Sequence, residues 1–234
     1  MDIAELHDWP TTESAAVEIQ LRLRSLVDLE DSCPEVVETV TGLDVAYDKA
    51  TNRIAATAVT IDSENFATIE ERTIISEVSF PYAPGLFAFR ELPPLLDALR
   101  SMTRVPDLLV CDGQGLAHPR RFGLACHIGV LTGLPSIGVG KTGFAGKYLE
   151  PAAARSSVSP LTENGETVGS VLRTQTDVNP VFVSVGHRIG LEHANRQVLA
   201  LCPSFRLPES TRQADHAARQ ALRRYTPLST NADT

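Results

Sequence analysis

Between residues 39 and 140 the hydrophobic pattern passes from strand-like runs to alternating helical and strand-like ones, and that change restricts the folds open to the chain. Three β-like runs come first. Residues 39–47 (TVTGLDVAY) and 53–61 (RIAATAVTI) are separated by a short polar turn, DKATN, and a third run covers roughly 67–78. Runs this close in sequence, joined by Asp- and Asn-bearing turns, predict an antiparallel meander. The period then becomes helical, with Phe89, Leu92, Leu96 and Leu99 on one face. Pro93 and Pro94 fit such a helix only near its start, where their missing N–H groups cost nothing. Residues 108–112 (LLVCD) form a short unbroken apolar run, as expected of a strand covered on both faces. A helix over 121–132 with Gly133 as its stop, then a buried strand at 135–140 (PSIGVG), completes a strand–helix–strand unit. Such a unit is parallel and right-handed.

Three antiparallel strands feeding a parallel βαβ unit is the order of a ribonuclease H-like core. The reading is an α/β fold: a mixed five-stranded sheet flanked by helices, with a C-terminal hairpin and helices. Ahead of the sheet, residues 13–31 read as an amphipathic helix with Val17, Leu21 and Leu29 near one face. Behind it come a hairpin around ENGE (163–166), an apolar strand VFVSV (181–185) and two helices. The last begins near Ser210, where Ser210 and Gln213 fit a capping box. A length of 234 residues, 43% of them hydrophobic, suits one compact domain over 1–225, with residues 226–234 as a disordered tail.

Several classes are disfavoured. No apolar run approaches the roughly 18–20 residues that span a bilayer, so no membrane partner is expected. The opening MDIAELHDWP is acidic and lacks the apolar stretch of a signal peptide. Cys33, Cys111, Cys126 and Cys202 are widely spaced without a CxxC, which reads as free buried thiols in a reducing cytoplasm and not as a zinc site. The net charge of -8 argues against a general nucleic-acid coat protein, although a nuclease needs only a local basic surface. Lysine is rare and arginine carries nearly all the positive charge; an acidic, lysine-poor surface fits a high-salt cytoplasm.

Chemistry centres on Asp112. It ends the apolar run and precedes Gly113, Gln114 and Gly115, at the strand end where open α/β sheets bind ligands. Alone it fits a metal ligand and a turn cap equally well. Asp44 lies inside the first strand on the face of Gly42 and Ala46. A carboxylate in a central strand is costly unless paired or metal-bound; on an edge strand it would simply face water. Glu91, near the start of a helix, and Asp215 are each unremarkable alone. Together, four carboxylates from separate elements suit a phosphodiesterase using hard Mg²⁺ or Mn²⁺, with Asp44 and Asp112 as ligands. His118, Arg120 and Arg121 follow Asp112 closely enough to position water or bind backbone phosphates, though each also fits an ordinary exposed loop. GVGKT (138–142) imitates the end of a Walker A loop, but Pro135 stands where that loop requires glycine. Lys141 is better read as a phosphate-contacting lysine. No GxSxG elbow is present, which disfavours serine hydrolysis.

The segments GLDVAY (42–47), FPYAPGLFAFRE (80–91), DGQGLAHPRRFGLACHIGV (112–130) and LPSIGVGK (134–141) resemble the motif set of the endonuclease V family, over about residues 13–224. The resemblance implies a ribonuclease H-like fold and Mg²⁺-dependent incision of the second phosphodiester bond 3′ to a deaminated base, with Mn²⁺ as a substitute. It assigns Asp44 and Asp112 to metal binding, Glu91 to the catalytic glutamate, His118 and Lys141 to the active site, and Asp215 to the C-terminal acidic position. Tyr82, inside Pro81–Tyr82–Ala83–Pro84, matches a wedge that enters the duplex where the base leaves; without the resemblance it would read as a turn residue. Gly85 and Gly113 would offer backbone groups to the flipped base. Val185–Gly186–His187 departs from the Pro–Gly–His expected there, and 150–180 is the least recognisable stretch. The expected partner is damaged DNA, bound by a monomer. Inosine-containing RNA is the alternative within the class, and a non-catalytic nucleic-acid-binding protein the alternative outside it. Intact Asp44, Glu91 and Asp112 argue against the latter, because unused buried acids burden stability.

Overall fold

A computed structural model describes residues 1–225; the predicted disordered tail, 226–234, lies outside the described residues. The three β-like runs become β1 (Thr39–Asp48), β2 (Arg53–Asp62) and β3 (Thr68–Glu77). They form the expected antiparallel meander. Next come α2 (Ala88–Arg100), β4 (Leu108–Asp112), α3 (Leu124–Thr132) and β5 (Ser136–Gly140), preceded in the chain by α1 (Glu13–Leu23). The C-terminal part adds β6 (Val158–Glu163), β7 (Glu166–Leu172), β8 (Val181–His187), α4 (Leu191–Ala200) and α5 (Glu209–Tyr225). β4 pairs in parallel with β5, as the strand–helix–strand pattern requires, and on its other side in parallel with β1.

The sheet is longer than five strands. Its order is β3-β2-β1-β4-β5-β8-β7-β6, so β8 and the predicted hairpin extend the same sheet. Burial on both faces follows from alternation. In β4, Leu109 and Cys111 face the core under α2 and α3, while Leu108 and Val110 face the opposite core. In β2 the alanines Ala55, Ala56 and Ala58 are fully buried and let helices approach closely from both sides. All four cysteines are free and buried. Among the described residues no helix is long and apolar enough to cross a membrane.

Four local expectations fail for identifiable reasons. The N-terminal helix stops at Leu23 and a 3₁₀ turn over Arg24–Leu26 follows. Its buried face is Ala16, Gln20 and Leu23; Leu21 and Leu29 are exposed. The helix packs on the loop around residues 80–86, whose polar groups select a face that apolar periodicity cannot reveal. Pro93 and Pro94 lie at the middle of α2, which starts earlier than expected at Ala88. α3 begins at Leu124, because 113–123 is needed as a loop, yet it ends on Gly133 at φ 68° as expected. α5 begins one residue before Ser210, whose hydroxyl is buried without a partner, and Gln213 bonds to Phe66 and Thr68. No capping box forms.

Candidate active site

β1 lies between β2 and β4, so Asp44 is on a central strand and not a solvent-facing edge. The β1–β4 register runs from Val40↔Leu108 to Leu43↔Cys111. One step further places Asp44 beside Asp112. Since Leu43 and Cys111 face α2 and α3, alternation turns both aspartates to the other face. That face is covered by α5, which brings Asp215. Asp44, Asp112, Lys141 and Asp215 line one cleft of about 360 Å³.

Gly42 makes the third carboxylate possible. A Cβ there would lie 2.1 Å from the Ser210 carbonyl carbon, so only glycine lets the α5 backbone rest against β1. Asp215 Oδ1 accepts from Arg219 Nε at 2.7 Å, one helical turn on.

The cleft concentrates negative charge. Burial and the neighbouring Asp112 push Asp44 up to about 8; Lys141 and the Val45 N–H pull it down, and Asp215 raises it again. Lys141 Nζ donates to Asp112 Oδ2. Burial alone would lower the lysine, but that hydrogen bond and the charges of Asp112, Asp44 and Asp215 carry it above the ordinary range. It is the cation the carboxylates need. Glu91 stands at the start of α2 near the same strand ends. Burial pushes it up to about 8 against the hydrogen bond from Tyr47, and the Asp112 charge adds to the rise. The Tyr47 hydroxyl donates to Glu91 Oε1 at 2.9 Å.

A second opening shares Asp112 and Lys141 and is lined further by Tyr82, Gly85, Gly113 and Phe144. Tyr82 is 76% exposed, between Pro81 and Pro84. His118 is buried, with both ring nitrogens occupied. Nδ1 lies 3.2 Å from the Arg120 backbone N–H and accepts from it, so Nε2 carries the proton and donates to Gly85 O at 2.9 Å. Burial pushes its pKa down to about 4 and keeps the ring neutral at pH 7. The two arginines turn inward. Arg120 binds Gln20 and Gly85 O; Arg121, at φ 57°, binds Glu163 and the His118 carbonyl. Their guanidinium groups hold protein partners where the sequence suggested phosphates.

A family model described as Endonuclease V matches residues 21–216. The chain belongs to the endonuclease V family. Membership makes it a nuclease. The endonuclease V of Nocardia farcinica is 53% identical over 214 residues, covering 92% of this chain and 94% of the relative. A crystal structure of endonuclease V from Streptomyces avermitilis is 51% identical, with TM-score 0.89 over 93% of this chain and 96% of the other. The Ciona intestinalis endonuclease V superposes with TM-score 0.79 at 26% identity, covering 91% of this chain and 98% of the other.

The donor set of this endonuclease V chain suits a hard cation. Asp44 and Asp112 present carboxylate oxygens side by side, while the nearest thiol, Cys111, points into the opposite core. Among the described residues no three His, Cys, Asp or Glu side chains form a ready-made metal cage; Asp112 is engaged by Lys141 and Asp215 by Arg219. Three residues with site contacts escape the sequence reading. Arg219 had a signal, its i+4 spacing from Asp215. Tyr47 lies an odd step from Asp44, on the face where no partner was visible in sequence. Gln20 had no signal at all.

Proposed function

We propose that this nuclease cleaves DNA carrying a deaminated base, at the second phosphodiester bond 3′ to the lesion, leaving 3′-hydroxyl and 5′-phosphate ends. The observation that carries the reading is the in-register pair Asp44–Asp112, facing one cleft with Asp215 and Lys141. The Ciona relative was captured on a 24mer DNA containing an inosine followed by a ribo-adenosine. Mg²⁺ bound by Asp44 and Asp112, or Mn²⁺ in its place, would neutralise charge on the attacking and leaving oxygens.

The chain's own groups do the rest. Lys141 offers an ammonium to a non-bridging phosphate oxygen once Asp112 releases it. Glu91, steadied by Tyr47, would in its ionised form orient and deprotonate the attacking water. Tyr82 projects from the adjoining opening, as a residue that fills a vacated base stack must. The ribo-adenosine in the Ciona complex supports a second reading in which inosine-containing RNA is also cut.

Incision of matched deoxyinosine-, inosine- and uracil-bearing oligonucleotides, with and without Mg²⁺, tests the proposal. Cutting should require the lesion and the metal. Asp44→Ala and Asp112→Ala should each abolish incision and keep a cooperative unfolding transition. Near wild-type cutting by either variant in Mg²⁺ would remove the metal-site assignment; equal cutting of lesion-free strands would remove the specificity.

A further inference from the structure

Three side chains from two separate segments converge on one backbone oxygen, Gly85 O. Gln20 Nε2 donates to it at 3.0 Å, Arg120 Nη2 at 2.8 Å and His118 Nε2 at 2.9 Å. A carbonyl has two lone pairs, so this oxygen is oversupplied with donors. Gln20 also closes the network on itself. It is fully buried in α1, its second N–H reaches Phe122 O at 3.1 Å, and its Oε1 accepts from Arg120 Nε at 2.5 Å. Both N–H groups and the carbonyl oxygen of that amide are engaged, which fixes its orientation.

Gly85 is the residue where such a clamp matters. Its φ is +77°, in the left-handed region, and a Cβ there would meet Arg120 Nη2 at 2.8 Å. Glycine permits this conformation but also several others at little cost, so the peptide after Gly85 is free to rotate unless something holds its oxygen. The same helix secures the loop by packing, since Ala16 shares a cluster with Phe80, Ala83, Leu86 and Phe89. Loop residues Ala83 and Leu86 are thus buried while Tyr82 between Pro81 and Pro84 stays outside.

We propose that Gln20 is a positioning residue: bonded to Gly85 O directly and holding Arg120 on the same oxygen, beside His118, it keeps the 81–86 loop in the one conformation that presents Tyr82 to a duplex. Arg120 and His118 then serve as struts of this loop. The inference rests on the wedge reading of Tyr82. Gln20 lies just outside the segment that the family model matches.

Gln20→Leu keeps the volume and removes all three hydrogen bonds; Gln20→Glu keeps the acceptor for Arg120 and removes both donors. In each variant, amide exchange at residues 82–87 should accelerate while exchange in β4 and β5 stays slow. Incision of inosine in duplex should fall about tenfold, the scale of one lost base-stacking contact, and incision in single strands should change less than about twofold. Adding either change to Tyr82→Ala should cause little further loss on duplex. Unchanged loop exchange, equal losses on both substrates, or additive losses with Tyr82→Ala would each overturn the proposal. If Gln20→Leu does not fold, Gln20→Glu carries the same readings. Equal losses on the two substrates in Tyr82→Ala alone would instead sink the wedge reading, and that is read before Gln20 is changed.

Discussion

Tyr82 is a large aromatic left in solvent by a loop whose other apolar residues are buried. The flanking prolines stiffen the loop on either side of it, so less backbone freedom is lost when the ring enters a stack. Its opening adjoins the carboxylate cleft through Asp112 and Lys141, but the tyrosine is not among the residues that line that cleft. Tyr82→Ala should therefore lower duplex incision about ten- to a hundredfold, from stacking worth roughly 1–3 kcal/mol per base, with a smaller loss on single strands. Tyr82→Phe should stay close to wild type, because the ring supplies the contact. Parallel incision rates for the two variants on both substrate forms check this. A Phe variant as impaired as Ala would assign the role to the hydroxyl.

At the scale of elements, the site depends on how closely α5 sits on β1. Asp44 and Asp112 are placed by strand pairing alone, but Asp215 reaches them only because Gly42 lets the Ser210 backbone into contact. Gly42→Ala would drive Cβ into main-chain atoms that cannot rotate away. The variant should lose at least about 1–3 kcal/mol of stability, the usual cost of overpacking, and lose incision beyond what its unfolded fraction explains. Denaturant unfolding and incision at low temperature, where the variant is folded, separate the two effects. Full activity in a destabilised variant would show that Asp215 is dispensable to the cleft. α1 works differently: it contributes no cleft residue and acts as a support for the loop that carries Tyr82.

At the scale of the molecule, buried histidines tie stability to pH. His127 is fully buried among Phe89, Phe122 and His7, and its Nδ1 has no partner. Burial, then the His7 charge, hold its pKa well below 6.5. The folded state thus stays neutral there while the unfolded chain takes up a proton as pH falls below about 6.5. The sign is that of a depressed histidine: its contribution is whole above that pH and is lost below it. Asp44 and Glu91, both pushed up to about 8, act in the opposite sense. A difference measurement isolates the histidine. Between pH 7.5 and 5, the stability of wild type relative to His127→Gln should move against wild type by up to about 1.4 kcal/mol per pH unit below 6.5. Urea unfolding at three pH values checks it, and a constant difference would refute it.

The antiparallel meander, the parallel β4–β5 unit at Asp112 and the glycine stop at Gly133 were legible because they depend on near neighbours: period-two burial, unbroken apolar runs and turn residues. Strand position made Asp44 and Asp112 visible as candidates, and the resemblance of four motifs gave Glu91 and Tyr82 their roles. Tertiary structure decided the rest. It put β8 and the hairpin into the same sheet, because edge hydrogen bonding is satisfied by whichever strand arrives and periodicity does not name the partner. It turned Arg120 and Arg121 inward, since a guanidinium goes to the acceptors within reach, here Gly85 O and Glu163. It also made Gln20 part of the core: a buried amide is stable only where distant carbonyls and a distant guanidinium meet it, and that meeting is a property of the packed chain alone.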